Sequence, residues 1–309
     1  MKVVFMGTPD FSVPTLEALF NNGYEISLVI SQADKAKGRG KKVLHTPVKE
    51  KALQLGLDVF QPDNINSIES IDKIQQENPD VIVVVAYGQI LKEDILNIPR
   101  FGCINVHASL LPKYRGAAPI NWAIINGEKN TGVTTMVMEK GLDSGDMLLK
   151  RETIILNKET AGELHDRLMK MGADLLIETL KKLETRNLTK IPQIHEEATY
   201  APMMSKDLGK IDWNKKAVLI QNLVRGTQPW PGAYATYKNN SLKILEVDIV
   251  DKLNEEENGM VVKVNDEGIF VNAVDNCIVI KRIQFPGKRS MSVSEFLKGN
   301  EFEIGVSLK

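Results

Sequence analysis

Residues Lys2 to Ile30, KVVFMGTPDFSVPTLEALFNNGYEISLVI, decide the fold of this chain. Lys2 to Met6 is a short apolar strand, Gly7-Thr8-Pro9-Asp10 is a tight turn, and the apolar positions Phe11, Leu16, Leu19 and Phe20 predict a helix that stops at Gly23. Glu25 to Ile30 is a second strand. Strand, helix and strand at this spacing form a βαβ unit, whose right-handed crossover makes the two strands parallel. A dinucleotide-binding unit would carry Gly-x-Gly-x-x-Gly at the first turn. Gly7 stands there alone, which argues against a nicotinamide or flavin enzyme.

Further along, a helix over Pro47 to Leu55, a short strand over Asp58 to Gln61 and a helix over Ile68 to Gln76 lead to Asp80-Val-Ile-Val-Val-Val-Ala86. That continuous apolar run is what a strand buried on both faces requires. The alternation predicts an α/β domain with a Rossmann-like, mostly parallel sheet. In such sheets ligands bind beyond the carboxyl ends of the strands, where loops converge on rigid roots. One such end is Cys103 to Trp122, CINVHASLLPKYRGAAPINW, where an apolar strand gives way to Asn105 and His107 and then to a loop broken by Pro112, Gly116 and Pro119. Asn105 and His107 are two positions apart, so on a strand they share a face. An amide donor beside an imidazole suits an oxyanion developing on an attacked carbonyl. The loop has no Ser in an elbow and no adjacent acidic pair, so a covalent acyl-enzyme is not expected. Downstream, Gly141-Leu-Asp143-Ser-Gly145-Asp146 offers two carboxylates, either of which could cap a turn.

At 309 residues the chain is longer than the usual single domain, which predicts a larger and a smaller one. Hydrophobic residues at 43% and charged residues at 26% describe an ordinary globular protein, and no apolar run approaches the roughly eighteen residues of a spanning helix. The amino-terminal stretch reads as a buried strand and not a signal peptide. Cys103 and Cys277 read as buried thiols of a reducing cytoplasm, with no Cys/His spacing for a metal. With 39 basic and 40 acidic residues the net charge of −1 advertises no polyanionic partner, so any such partner must meet a local patch. Ser31 to Thr46, SQADKAKGRGKKVLHT, is that patch: it carries Lys35, Lys37, Arg39, Lys41 and Lys42 and is long for a connection in such a fold. It is either a solvated loop or a polyanion-binding arm.

Thr160 to Leu183 predicts a long helix with a Thr160/Glu163 capping box, an apolar face through Leu164, Leu168, Met171 and Leu175, and Lys181 and Lys182 at its negative end. Leu188 to Asp212, interrupted by Pro192 and Pro202, has no periodicity and reads as a linker. The expected division is therefore residues 1–188 as a catalytic domain, 189–212 as linker and 213–309 as a carboxyl-terminal domain. After a helix over Trp213 to Val224, the tail holds five short strands (Ala233 to Tyr237, Leu242 to Val250, Met260 to Val264, Ile269 to Ala273 and Cys277 to Gln284) and a capped helix from Ser292 to Leu297. Five short strands fit a small OB-like barrel.

The string Asn-x-His-x-Ser-Leu-Leu-Pro-x-Tyr-Arg-Gly-x-x-Pro-Ile, Asn105 through Ile120, resembles the signature of the 10-formyltetrahydrofolate-dependent formyltransferases, and the likeness covers essentially the whole chain. The resemblance implies 10-formyltetrahydrofolate as formyl donor, with no metal. It assigns Asn105 and His107 to the oxyanion and selects Asp143 as the catalytic carboxylate, which orients the imidazole and assists proton removal. It places the pterin against Tyr87, Gly88 and Gln89 and against Ser109, Leu110, Leu111 and Pro112. It also implies that the basic insert, with Arg39, Lys41 and Lys42 in its Gly38 to Lys42 string, enters the acceptor stem of a tRNA. The acceptor is then the amino group of methionyl initiator tRNA, and the enzyme a cytoplasmic monomer without a membrane partner. Formyltransferases acting on an amino-sugar nucleotide or another small amine are the alternative; they would not need the Lys35 to Lys42 insert. A non-catalytic tRNA-binding module is weakened by the presence of Asn105, His107 and Asp143 together.

Overall fold

The computed structural model describes residues 1–37 and 42–309. It divides into two compact units, the first made of residues 1–116, 130–154 and 165–201 and the second of residues 117–129, 155–164 and 202–309. Residues 189–201, which the sequence reads as linker, lie within the first unit.

The strands of the first unit are β1 (Lys2–Gly7), β2 (Glu25–Ile30), β3 (Lys35–Lys37), β4 (Lys42–Leu44), β5 (Val59–Phe60), β6 (Val81–Val85), β7 (Cys103–His107), β8 (Arg115–Gly116), β9 (Asn130–Val137), β10 (Met147–Ile154) and β11 (Tyr200–Ala201). Seven of them make one sheet in the order β10-β9-β7-β6-β1-β2-β5. The five from β7 to β5 run parallel; β9 pairs antiparallel to β7, and β10 antiparallel to β9. Val3 to Met6 and Val81 to Val85 are buried along their whole length, as a sheet covered on both faces requires. β3 and β4 pair as a separate hairpin, and β11 adds in parallel to β8.

The helices of the chain are α1 (Val13–Asn21), α2 (Pro47–Gln54), α3 (Ile68–Glu77), α4 (Glu93–Leu96), α5 (Pro119–Ile125), α6 (Ala161–Glu184), α7 (Ala217–Gly226) and α8 (Val293–Leu297). α2 starts where the sequence says it should: Thr46 accepts from the Lys49 amide and Pro47 occupies the first turn. α1 follows a short 3-10 turn at Asp10–Ser12 and buries Leu16 and Leu19, but Phe20, expected on the apolar face, is 43% exposed at the helix end. α6 crosses the sheet so closely at Gly172 that an added Cβ would stand 2.8 Å from Val106 Cγ1 of β7, and only glycine avoids that overlap. Cys103 and Cys277 are free, buried thiols whose pKa values burial pushes up to about 12 and about 11. No helix among the described residues is long and apolar enough to cross a membrane.

The second unit holds β12 (Ala233–Tyr237), β13 (Asn240–Val250), β14 (Val261–Asn265), β15 (Gly268–Asn272), β16 (Cys277–Gln284) and β17 (Met291–Ser292) in an antiparallel sheet ordered β12-β13-β16-β15-β14, with β17 on β16. The two end strands β12 and β14 do not pair with each other among the described residues, so the sheet is not closed. Lys238 and Asn239, both at positive φ, form the two-residue turn between β12 and β13. α7 begins at Ala217 and not at Trp213 because Asp212 first builds a turn, its carboxylate accepting from the Asn214 amide and its carbonyl from the Lys215 amide. Trp213 instead drops into the core with Ile220, Leu242, Ile244 and Ile280. α8 carries a complete capping box between Ser292 and Glu295.

Candidate active site

The parallel sheet reverses its strand order beside β1: the chain moves outward to β2 and β5, then returns to β6 on the other side. The carboxyl ends of β1 and β6 flank this switch point, where open α/β sheets bind ligands. Side chains from just past β1 tie the two ends together, Thr8 Oγ1 donating to the Tyr87 carbonyl at 2.7 Å and Ser12 Oγ to the Val85 carbonyl at 2.6 Å. β7 lies next to β6 with Asn105 opposite Val84, so the turn leaving β6 at Ala86 to Gly88 opens beside Asn105 and His107.

The structure brings Asn105, His107 and Asp143 together. Asn105 Nδ2 donates to Asp143 Oδ1 at 3.3 Å, which leaves its second N–H for another acceptor. His107 is 6% exposed, and its Nε2 lies 2.9 Å from the Tyr114 carbonyl oxygen. A carbonyl only accepts, so Nε2 carries the proton and the Tyr114 carbonyl sets the tautomer. Nδ1 faces Asp143 Oδ2 at 3.7 Å, within ion-pair range when the ring is protonated but longer than a hydrogen bond. Asp143 Oδ2 accepts from the Gly116 amide at 2.8 Å. Of the two carboxylates in the turn, Asp143 is the one aimed at the strand pair, from a backbone at φ 46°.

The residue that sequence reasoning missed is Gln193. It is buried, and its Nε2 donates to the carbonyls of Asp143 at 2.8 Å and Gly145 at 2.7 Å, while its Oε1 accepts from Arg115 Nε at 3.1 Å and Nη2 at 2.7 Å. Arg115, inside the signature string, is buried and also has His195 Nδ1 at 3.4 Å from Nη1 and Nη2. The only sequence sign of Gln193 is a polar residue between Pro192 and Ile194 in a stretch without periodicity.

The residues expected to face the folate divide by role. Ala86 and Gly88 are exposed at φ 45° and 97°, and the nearest atom to a Cβ on Gly88 would be Gln32 Cγ at 3.7 Å, so the turn presents accessible backbone to a flat ring. Tyr87 is buried with its hydroxyl lacking a partner, and burial raises its pKa to about 12. Gln89 is committed to the neighbouring loop, accepting from the Ile65 amide at 2.9 Å and donating to the Asp63 carbonyl. On the other side, Ser109 donates to the Lys113 carbonyl, Thr134 Oγ1 ties the Ser109 carbonyl to the Leu111 amide, and Lys150 Nζ donates to the Leu111 carbonyl. With these polar groups engaged internally, Leu110 and Pro112 remain the partly exposed apolar surface of that turn. These features fit a heterocycle gripped by backbone on one side and apolar contact on the other.

Arg39 and Lys41 lie outside the described residues, as does the side chain of Lys42. The root of the insert is described. Asp34 accepts from His45 Nδ1 at 2.8 Å, Lys49 Nζ at 2.6 Å and Gln61 Nε2 at 2.8 Å, which clasps the two ends of the insert. Burial works against the Asp34 charge, but the hydrogen bonds from Gln61, Lys49 and His45 and the Lys49 charge outweigh it and hold its carboxyl well below the usual range.

The family model for formyl transferase matches residues 1–180, and that for the formyl transferase carboxyl-terminal domain matches residues 203–301. The chain is 53% identical over 308 residues to a methionyl-tRNA formyltransferase of Clostridioides difficile and 54% identical over 310 residues to one of Clostridium acetobutylicum, each pair covered over 100% of both chains. Among solved structures, an N-formyltransferase from Helicobacter canadensis in complex with folinic acid and dTDP-3-aminofucose superposes with a TM-score of 0.69 at 18% identity, over 91% of this chain and 99% of that one. The class is thus a formyl-group transferase. The chain belongs to the formyl transferase family, in its methionyl-tRNA formyltransferase branch.

Proposed function

We propose that this chain transfers the formyl group of 10-formyltetrahydrofolate to the free amino group of methionyl initiator tRNA. The observation that carries the reading is the convergence of Asn105, His107 and Asp143 at the carboxyl end of β7, with Asp143 bonded to Asn105 at 3.3 Å and set 3.7 Å from the imidazole. Full-length identity to methionyl-tRNA formyltransferases supports the choice of acceptor.

The donor's pterin lies against the Ala86 to Gly88 backbone, Gln89 bracing that turn, and against Leu110 and Pro112. The donor supplies a formyl group already activated by its aniline-like nitrogen. The acceptor amine attacks the formyl carbon, and negative charge grows on the formyl oxygen. Asn105 Nδ2 gives that oxygen its remaining N–H, and protonated His107 gives it the Nδ1 proton, since Nε2 is held by Tyr114. Asp143 takes the proton from the attacking amine, its carboxylate kept in place by the Gly116 amide. The tetrahedral intermediate then collapses, the bond from the formyl carbon to the donor nitrogen breaks, and Asp143 passes that proton to the leaving nitrogen, giving tetrahydrofolate and the formylated amine.

For the tRNA, Arg39, Lys41 and Lys42 supply the phosphate contacts, on the insert whose flanks Asp34 clasps through His45 and Lys49. Residues 1–188 are then the body of the catalytic domain, 189–212 a connection whose first part, 189–201, packs into that domain, and 213–309 an OB-like, tRNA-binding barrel. The register shifts of β13 at Ile244 to Val247 support the last point, because bulges bend a strand as a barrel corner demands. The enzyme acts as a monomer in the cytoplasm.

The test offers the purified protein 10-formyltetrahydrofolate with methionyl initiator tRNA, glycinamide ribonucleotide and an amino-sugar nucleotide in parallel. Transfer to the tRNA well above the other two is expected. Preference for either small amine refutes the acceptor assignment.

A further inference from the structure

We infer that Gln193 is a positioning residue for formyl transfer: it holds the Asp143 loop in the conformation that aims the carboxylate at Asn105, His107 and the Gly116 amide. The inference rests on the proposed catalytic role of Asp143.

Asp143 stands at φ 46°, a left-handed backbone that costs any residue with a Cβ, aspartate less than most, and that its contacts hold in place here. The contact that holds the backbone is the Gln193 amide, whose two N–H groups reach the carbonyls of Asp143 and Gly145 at 2.8 and 2.7 Å. That amide cannot be turned over. Its oxygen faces the Arg115 guanidinium, which only donates, and its nitrogen faces two carbonyls, which only accept; the flipped amide would meet repulsion on both sides. Gln193 and Arg115 are 6% and 3% exposed, so water offers neither a substitute partner. The backbone of Gln193 is fixed as well, between the bridge of Ile191 to Met147 and β11 on β8.

The contacts form a closed circuit. The Asp143 carboxylate accepts from the Gly116 amide; the neighbouring Arg115 grips Gln193; and Gln193 returns to the Asp143 carbonyl. Tyr114, on the other side of Arg115, accepts from His107. One short segment therefore references the carboxylate and the imidazole to each other, and Gln193 is the link that sets the carboxylate's backbone. Without its two N–H groups the loop relaxes toward right-handed conformations and the carboxylate leaves the strand pair.

The experiment measures steady-state formylation of charged tRNA by Gln193→Ala and Gln193→Glu, each in the parent and in an Asp143→Ala background. Donor binding and thermal melting of the same full-length proteins accompany it. In the parent background each substitution is expected to lower kcat by about 10- to 100-fold, with KM for both substrates within about twofold, the size of a misplaced catalytic group. The Glu variant, equal in shape and able to pair with Arg115, fills the site that the Ala variant empties, and its own melting temperature is read beside its rate. It does not restore kcat, because a carboxylate cannot donate to two carbonyls. In the Asp143→Ala background the same substitutions are expected to lower the residual rate by less than about threefold, since residues acting as one unit are not additive. Equal losses in both backgrounds, or a parent-like kcat for the Gln193 variants where Asp143→Ala is impaired, overturn the inference alone. A parent-like kcat for Asp143→Ala overturns the catalytic reading of Asp143 and this inference with it.

Discussion

Asn105 and His107 sit on a strand of the main sheet, Asn105 paired on both sides, between Val84 and Met136, and His107 paired on one side, opposite Thr134. Asp143 sits on a loop in a left-handed conformation, held by the Gly116 amide, the Asn105 amide and Gln193. The two proposed donors to the oxyanion are thus placed by the sheet, and the carboxylate by a few polar contacts between segments far apart in sequence. The difference teaches that one half of the site is placed by the backbone of a buried strand and the other only by its hydrogen bonds.

The largest effect expected from breaking the loop-borne half is that of Asp143→Ala, which removes the proposed base and should lower turnover by about 10³-fold, the middle of the range for general acid–base groups. Donor binding, measured by fluorescence titration, should stay near the parent value, and turnover near the parent value would make the carboxylate structural. Gly116→Ala comes next. Gly116 has φ 112°, and a Cβ there would lie 2.9 Å from the Ala201 carbonyl oxygen, so alanine must strain or shift β8. A loss of about 1–3 kcal/mol in unfolding free energy is expected, with turnover falling alongside it because the Gly116 amide moves away from Asp143. An unchanged denaturation midpoint would contradict that geometry.

The strand-borne half was legible in the sequence because its determinants are local. The apolar run Val81 to Val85, the turn residues after it and the two-residue spacing of Asn105 and His107 are all read from neighbours in the chain. The loop-borne half was legible only through the resemblance, which selected Asp143 over Asp146. Gln193 was not legible at all, because residues 189–201 are held by the side-chain bonds of Gln193 and Thr199 and by short backbone bridges, and not by a periodic apolar face. The same physics explains Tyr114. A backbone carbonyl that fixes a tautomer leaves no mark on residue identity.

The insert offers a milder contrast, with flanks clasped at Asp34 and a basic sequence between them. Replacing Arg39, Lys41 and Lys42 together by Ala should flatten the log–log dependence of tRNA affinity on salt by about two to three units and raise KM for tRNA, with donor binding unchanged. A salt slope equal to the parent's would remove these side chains from the RNA interface. The smallest effect is at the root. The Asp34 carboxyl has a lower pKa folded than unfolded, so its contribution to stability is present above the unfolded value of about 3.9 and is lost as pH falls through the folded value. Asp34→Asn should therefore melt below the parent near neutral pH, with the gap closing as pH drops below about 4. A gap that is constant with pH would show that the charge is not what clasps the insert.

The most direct test of the strand-borne pair as the seat of the chemistry is single-turnover formyl transfer to methionyl initiator tRNA by Asn105→Ala and His107→Ala at saturating donor. Each should be slower than the parent by about 10²- to 10³-fold, the loss that follows removal of one oxyanion donor, while donor affinity and melting temperature stay close to the parent's. A transfer rate within a few-fold of the parent in either variant would contradict the assignment of the oxyanion site to the end of β7.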